Sequence, residues 1–180
     1  FFVCYTLQIP STVVDRVRIW QSPWNNAVRG GDQIAHAIWT LASGGPLGTG
    51  LGLGATRYLP AGHTDLVLAS VGEELGAAGL IVVAILYSVI CWRAYTTAKR
   101  ASTDYELFLA AGVMLLIAIP TLLMACATLG IVPLTGVVTP FLSYGGSAMT
   151  ANFAALGILA SIRAHAVGDD RHHVAVVRHV

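Results

Sequence analysis

The chain has 180 residues, of which 56% are apolar and only 11% charged, with a net charge of +1 and a mean hydropathy of +0.71. Soluble domains carry about 25% charged residues, so the composition is that of a membrane protein, and the near-neutral charge gives no basis for a nucleic-acid partner. Three cysteines, Cys4, Cys91 and Cys126, have no paired spacing, which argues against a disulfide framework or a zinc site.

The first apolar run, Phe1 to Val14, is interrupted by Gln8 and Pro10. A membrane span needs about 20 residues. With no basic segment ahead of it and no small-residue cleavage site, the run does not read as a signal peptide. It reads as the end of a truncated transmembrane helix over 1–14, and the chain as a fragment of a larger membrane protein.

Residues 15–65 read as a loop outside the hydrocarbon. They carry Asp15, Arg16, Arg18, Arg29, Asp32 and Arg57, and the interface-loving rings of Trp20, Trp24 and Trp39. Ile34, Ile38 and Leu41 recur at helical spacing with Gln33, His36 and Thr40 on other faces, which predicts a short amphipathic helix suited to a membrane surface. Ser43 to Gly54 is glycine-rich, yet its spacing fits neither the dinucleotide-binding pattern nor a P-loop. Such a stretch lets backbone approach backbone, or a bulky ligand, closely.

Leu59-Pro60-Ala61-Gly62-His63-Thr64-Asp65 then leads into a long apolar helix that carries Glu73 and Glu74. An ionisable group at membrane depth costs roughly 2.5–3.5 kcal/mol near the bilayer centre, so three carboxylates here need a reason such as a proton relay, a substrate path or a catalytic base. On a wheel at about 100° per residue, Ala69, Gly72, Gly76 and Gly79 fall within about 40° of Asp65, Glu73 lies about 80° away and Glu74 opposite. Gly72 and Gly76 have the spacing that lets helices pack backbone to backbone. That face is expected inside a bundle with Glu73, while Glu74 faces another helix or the headgroups.

Three membrane helices are predicted over 66–162, at about 66–92, 107–129 and 141–162. Pro120 is expected to kink the second. The third opens with Pro140-Phe141-Leu142-Ser143-Tyr144-Gly145-Gly146-Ser147. This is either irregular backbone lining protein or a wet cavity, or a helix entry capped by Ser147. Residues 163–180 read as a polar cytoplasmic tail, expected to be unstructured. The loop between the first two spans and the tail together hold six Lys/Arg against four on the other side, which puts the tail in the cytoplasm and Asp65 outside.

These pieces occur in the order found in one family. Arg18-Ile19-Trp20 with Pro23-Trp24 comes first, then Ala42-Ser43-Gly44-Gly45 with Gly48-x-Gly50. Leu59-Pro60, His63-Thr64-Asp65 and Gly72-Glu73-Glu74-Leu75-Gly76 follow. Last come Pro133-x-Thr135-Gly136 and Pro140-Phe141-x-Ser143-Tyr144-Gly145-Gly146-Ser147. The chain resembles the C-terminal part of the SEDS proteins, the FtsW/RodA/SpoVE group. The resemblance implies an all-α, polytopic transmembrane helix bundle of ten helices in the bacterial plasma membrane, with its site on the extracytoplasmic face. It implies polymerisation of peptidoglycan glycan strands from lipid II with release of undecaprenyl diphosphate, in division or elongation. It also implies a class B penicillin-binding protein and other divisome or elongasome proteins as partners. An α-linked donor and a β-linked product call for one inverting displacement. Asp65 is then the base, and Arg57 or a divalent cation (Mg or Mn) neutralises the diphosphate. His63, Glu73, Glu74, Ser143, Tyr144 and Ser147 are the supporting or substrate-binding residues. The sequence departs from the family at Ala61-Gly62, where an acidic residue is usual after Leu-Pro, and at Leu66-Val67-Leu68, where aromatic residues are usual. Rival readings are a flippase for a lipid-linked precursor and a non-catalytic scaffold for the cross-linking enzyme.

Overall fold

The structure, a computed structural model, describes residues 11–24, 31–54 and 66–177, with side chains for 13–24, 33–54 and 66–165. Every regular element among them is helical: α1 (Ser11–Gln21), α2 (Gly31–Ser43), α3 (Val67–Lys99), α4 (Asp104–Thr128) and α5 (Gly146–Val177). Cα packing divides the chain into two compact units. One joins the residues up to Val83 to Pro120–Gly145; the other joins Ala84–Ile119 to the residues from Gly146 on.

In the first unit, α1 and α2 present Val14, Val17, Ile34 and Ala37 as buried residues. Their spacing of three is that of one helical stripe. Ala37 joins Leu66 and Ala69 in a small core against which Leu134 packs. The predicted amphipathic helix is therefore present as α2, with Ile34 buried and Trp39 69% exposed. Residues 15–21, expected in a loop, are instead part of helix α1. Its polar side chains hold a distant segment: Trp20 Nε1 donates to the Gly130 carbonyl at 2.7 Å, and Arg16 donates to the Leu134 carbonyl at 3.2 Å.

The Gly130 carbonyl is available to Trp20 because of how α4 ends. Ile131 N donates to Cys126 O at 2.8 Å and Gly130 N to Ala127 O at 3.0 Å, with Gly130 at φ 72°. This nested pair of bonds is the Schellman stop, which needs a left-handed residue at its centre. Helix α4 starts at Asp104, earlier than expected, because Thr103 Oγ1 accepts from Glu106 N at 3.3 Å and Glu106 Oε2 accepts from Ser102 N at 3.2 Å. This is close to a capping box. The helical backbone continues through Pro120 to Thr128.

Two of the described helices, α3 and α4, are long and apolar enough to cross a membrane. In the second unit α3 ends with Trp92 and Tyr95, whose ring centroids lie 6.3 Å apart. Lys99 Nζ lies 5.4 Å from the Tyr95 centroid. Amphipathic rings with a cation suit a membrane–water boundary. Helix α5 opens at Gly146 and runs to Val177, so the tail expected to be unstructured from Arg163 is helical as far as Val177. Residues 131–145 between α4 and α5 are irregular.

The continuous first span of the sequence reading is corrected. Helix α3 is broken at Gly76, whose φ of 67° and ψ of −166° are non-helical. This is backbone open to glycine and strained for any other residue. Angles counted across Gly76 on a wheel therefore lose their meaning.

Candidate functional site

A break in a helix severs the hydrogen bonds that would cross it. In an unbroken α3, Ala77 N would donate to Glu73 O and Ala78 N to Glu74 O. All four groups find other partners in the glycine-rich segment. Thr49 N donates to Glu73 O at 2.8 Å and Gly50 N to Glu74 O at 3.0 Å, while Gly45 O accepts from Ala77 N at 2.9 Å and Pro46 O from Ala78 N at 3.1 Å. Thr49 Oγ1 adds a second bond to Glu73 O at 3.2 Å. The loop stands in for a missing half-turn of helix. A buried backbone group left unpaired would cost about 1–3 kcal/mol, so four repaired groups explain how an apolar helix tolerates its break.

Glycine makes the approach close enough. A Cβ on Gly48 would overlap the Glu74 carbonyl, and one on Gly76 would overlap the Gly48 amide. Gly48 also stands at φ 80°. This corrects the expected backbone-to-backbone helix contact at Gly76, whose neighbour is the loop; Gly72 does face a helix, meeting the Leu41 side chain of α2.

Glu73 follows from this arrangement. It is 4% exposed, and a Cβ on Gly54 would stand 2.8 Å from its Oε2. The loop thus folds over a buried carboxylate whose own carbonyl it binds. Glu74 is half-buried. The structure therefore brings Glu73 and Glu74 together with loop 44–54. Sequence reasoning missed Thr49 as a partner of that pair. The available signal was a glycine two positions after a pair of carboxylates in a helix, preceded in the chain by a segment able to lie flat against it.

Ser143 is buried in a turn of its own. Its Oγ accepts from Thr139 N at 3.0 Å, and its amide donates to Thr139 O at 3.1 Å. Phe141 in that turn has φ 62°, an outlier for a bulky residue. Tyr144 is 86% exposed. Ser147 is exposed inside the first turn of α5 and so does not precede the helix as a cap. Of the two readings left open for the 140–147 stretch, irregular backbone up to Gly145 is the one observed. Asp65, His63 and Arg57 lie outside the described residues. Among the described residues no three His, Cys, Asp or Glu side chains cluster as a metal site.

Residues 2–167 match the model of the FtsW/RodA/SpoVE cell cycle protein family. The chain belongs to this family. Family members similar to it include the peptidoglycan glycosyltransferase RodA of Mycobacterium leprae, 40% identical over 82% of this chain and 32% of that protein. The stage V sporulation protein E of Bacillus subtilis is 35% identical over 89% of this chain and 44% of that protein. A probable peptidoglycan glycosyltransferase FtsW of a Geobacter species is 32% identical over 89% and 44%. The chain thus spans less than half the length of these relatives. In fold it is similar to a solved chain of a peptidoglycan synthase complex that coordinates polymerization and crosslinking, with a TM-score of 0.69 and 23% identity over 91% of this chain and 44% of that one. The all-helical architecture expected from the sequence is the one seen among the described residues, and the fold likeness agrees with it.

Proposed function

We propose that the full-length protein to which this chain belongs polymerises peptidoglycan glycan strands from lipid II at the extracytoplasmic face of the bacterial plasma membrane. The observation that carries the reading is the loop folded over Glu73. A buried carboxylate near the start of a membrane-length helix, with dedicated backbone around it, is an arrangement that membrane proteins keep for chemistry or transport. The relatives named as glycosyltransferases favour chemistry.

In the proposed reaction the acceptor hydroxyl attacks the anomeric carbon of an α-linked lipid diphosphate. The new glycosidic bond forms as the bond to the diphosphate breaks, with inversion. Asp65 takes the hydroxyl proton, and the leaving undecaprenyl diphosphate carries away the electron pair. Arg57 is assigned to balance its charge. A divalent cation would supply the same charge. Among the described residues no three His, Cys, Asp or Glu side chains cluster as a ligand set for one. Glu73, held beneath the loop, is assigned to position the start of α3 on which Asp65 depends. A class B penicillin-binding protein is the proposed partner, cross-linking the strands.

The break at Gly76 favours one second reading, because discontinuous membrane helices also serve transporters. Labelled lipid II given to the full-length protein with its partner, in the presence of an inhibitor of class A enzymes, separates the two. Glycan ladders are expected. Movement of lipid II across vesicles without ladders would establish the transporter instead.

A further inference from the structure

The loop that repairs α3 leaves three large apolar side chains uncovered: Leu47, Leu51 and Leu53 are 81%, 74% and 79% exposed. Their level along the helix is set by the loop's hydrogen bonds to Glu73, Glu74, Ala77 and Ala78. At that level the chemistry of α3 changes. Glu73 and Glu74 are followed by eighteen uncharged residues, Leu75 to Trp92, a run of the length that crosses hydrocarbon. The first apolar residues of that run are themselves uncovered, with Leu75, Ile81 and Val82 at 39%, 59% and 55% exposure. The loop also lies in a stretch with no Asp, Glu, Lys or Arg between Asp32 and Arg57.

We propose that Pro46–Gly54 is a membrane-inserted hairpin, whose leucines enter the acyl chains of the leaflet at the Glu73 end of α3. Exposed apolar patches mark interaction surfaces, and here the surface matches in level and character the start of an acyl-facing span. Irregular backbone is excluded from hydrocarbon unless its polar groups are paired. The hairpin meets that condition in part: Gly45 O, Pro46 O, Thr49 N and Gly50 N are paired with α3, and Gly44 O and Gly50 O accept from Gly48 N and Leu53 N within the loop, so its other backbone groups have to stay at the headgroup boundary. The backbone rests at the boundary and the side chains reach inward. The occupant is therefore lipid, and the hairpin fixes the depth at which Glu73 and the start of α3 stand. This inference is independent of the catalytic assignment.

The test uses the full-length protein without native cysteines, carrying Leu51→Cys or, separately, Leu53→Cys. Each is labelled with bimane and reconstituted into phosphatidylcholine–phosphatidylglycerol vesicles. Two sites keep the test open if one variant folds poorly. Spin-labelled lipid with the label high on its acyl chain is expected to remove most of the fluorescence. A label near the terminal methyl should remove less, and aqueous iodide little. Iodide quenching equal to that of bimane at Ser102→Cys, an exposed position in another loop, would overturn the proposal. Protection from both iodide and lipid labels would overturn it as well, since protein would then cover the leucines.

Discussion

The amide of Thr49 donates to the carbonyl of Glu73 at 2.8 Å, and the Thr49 hydroxyl reaches the same oxygen at 3.2 Å. One carbonyl, released by the break at Gly76, thus takes two donors from a loop 24 positions earlier. The carboxylate side chain of Glu73 and its backbone are both governed by this contact, so the loop and the proposed site stand or fall together.

The loop contact can be weakened without touching a polar side chain. Gly48→Ala places a methyl on the Glu74 carbonyl and keeps a left-handed backbone; overpacking of this kind costs about 1–3 kcal/mol. Gly52 also has φ 73° but has nothing within 4 Å of a Cβ, so Gly52→Ala carries only the left-handed penalty of about 1–2 kcal/mol. The full-length Gly48→Ala protein is expected to melt below Gly52→Ala in detergent, and equal melting temperatures would count against a close loop–helix contact.

Gly76→Leu is expected to be more damaging, because it meets the Gly48 and Leu47 amides at a strained φ. A comparison needs an exposed position on the same helix, away from the loop. Ile81→Ala, at a 59% exposed position, is the appropriate one. Expression and melting temperature should fall for Gly76→Leu and hold for Ile81→Ala.

Asp65→Asn separates a base from a helix cap, because Asn caps about as well as Asp. The full-length variant is expected to insert, bind its partner and lose 10²–10⁴ of its rate, roughly what a general base supplies. Near-normal lipid II polymerisation would falsify the assignment and turn attention to Glu73. Loss of expression together with activity would instead mark Asp65 as structural.

For orientation, cysteines at Gly62 and Ser102 in an otherwise cysteine-free protein should differ towards an impermeant maleimide, with Gly62 labelled in intact cells. Ser102 is chosen over Thr97, which is 3% exposed and bonded to the Arg93 carbonyl through its hydroxyl. Equal labelling of the two sites would reverse the topology argument.

The apolar spans of α3 and α4, the amphipathic α2 and the burial of Glu73 were legible in the sequence because each rests on a periodic or compositional pattern. The break at Gly76 was not. Glycine at that spacing from Gly72 reads equally well as a packing face, and only the partner decides. The partner here is a loop, and loop-to-helix backbone pairing leaves no periodic trace. The early start of α4 was missed for a different reason: Thr103 and Glu106 form a capping pair, but the charges around them read as a polar loop. The extension of α5 past Arg163 was missed because polar residues can continue a helix as well as end one. Asp65, His63 and Arg57 are known only through motif order.

The order of the loop and the helix has a consequence for biosynthesis. Gly45, Pro46, Thr49 and Gly50 precede Glu73, Glu74, Ala77 and Ala78 in the chain, so the groups that complete α3 have already left the ribosome when the interrupted helix emerges. The helix can enter lipid with its unpaired groups already accompanied. A circular permutant opened between α2 and α3, with the loop synthesised last, would have to deliver those groups to a helix already in place.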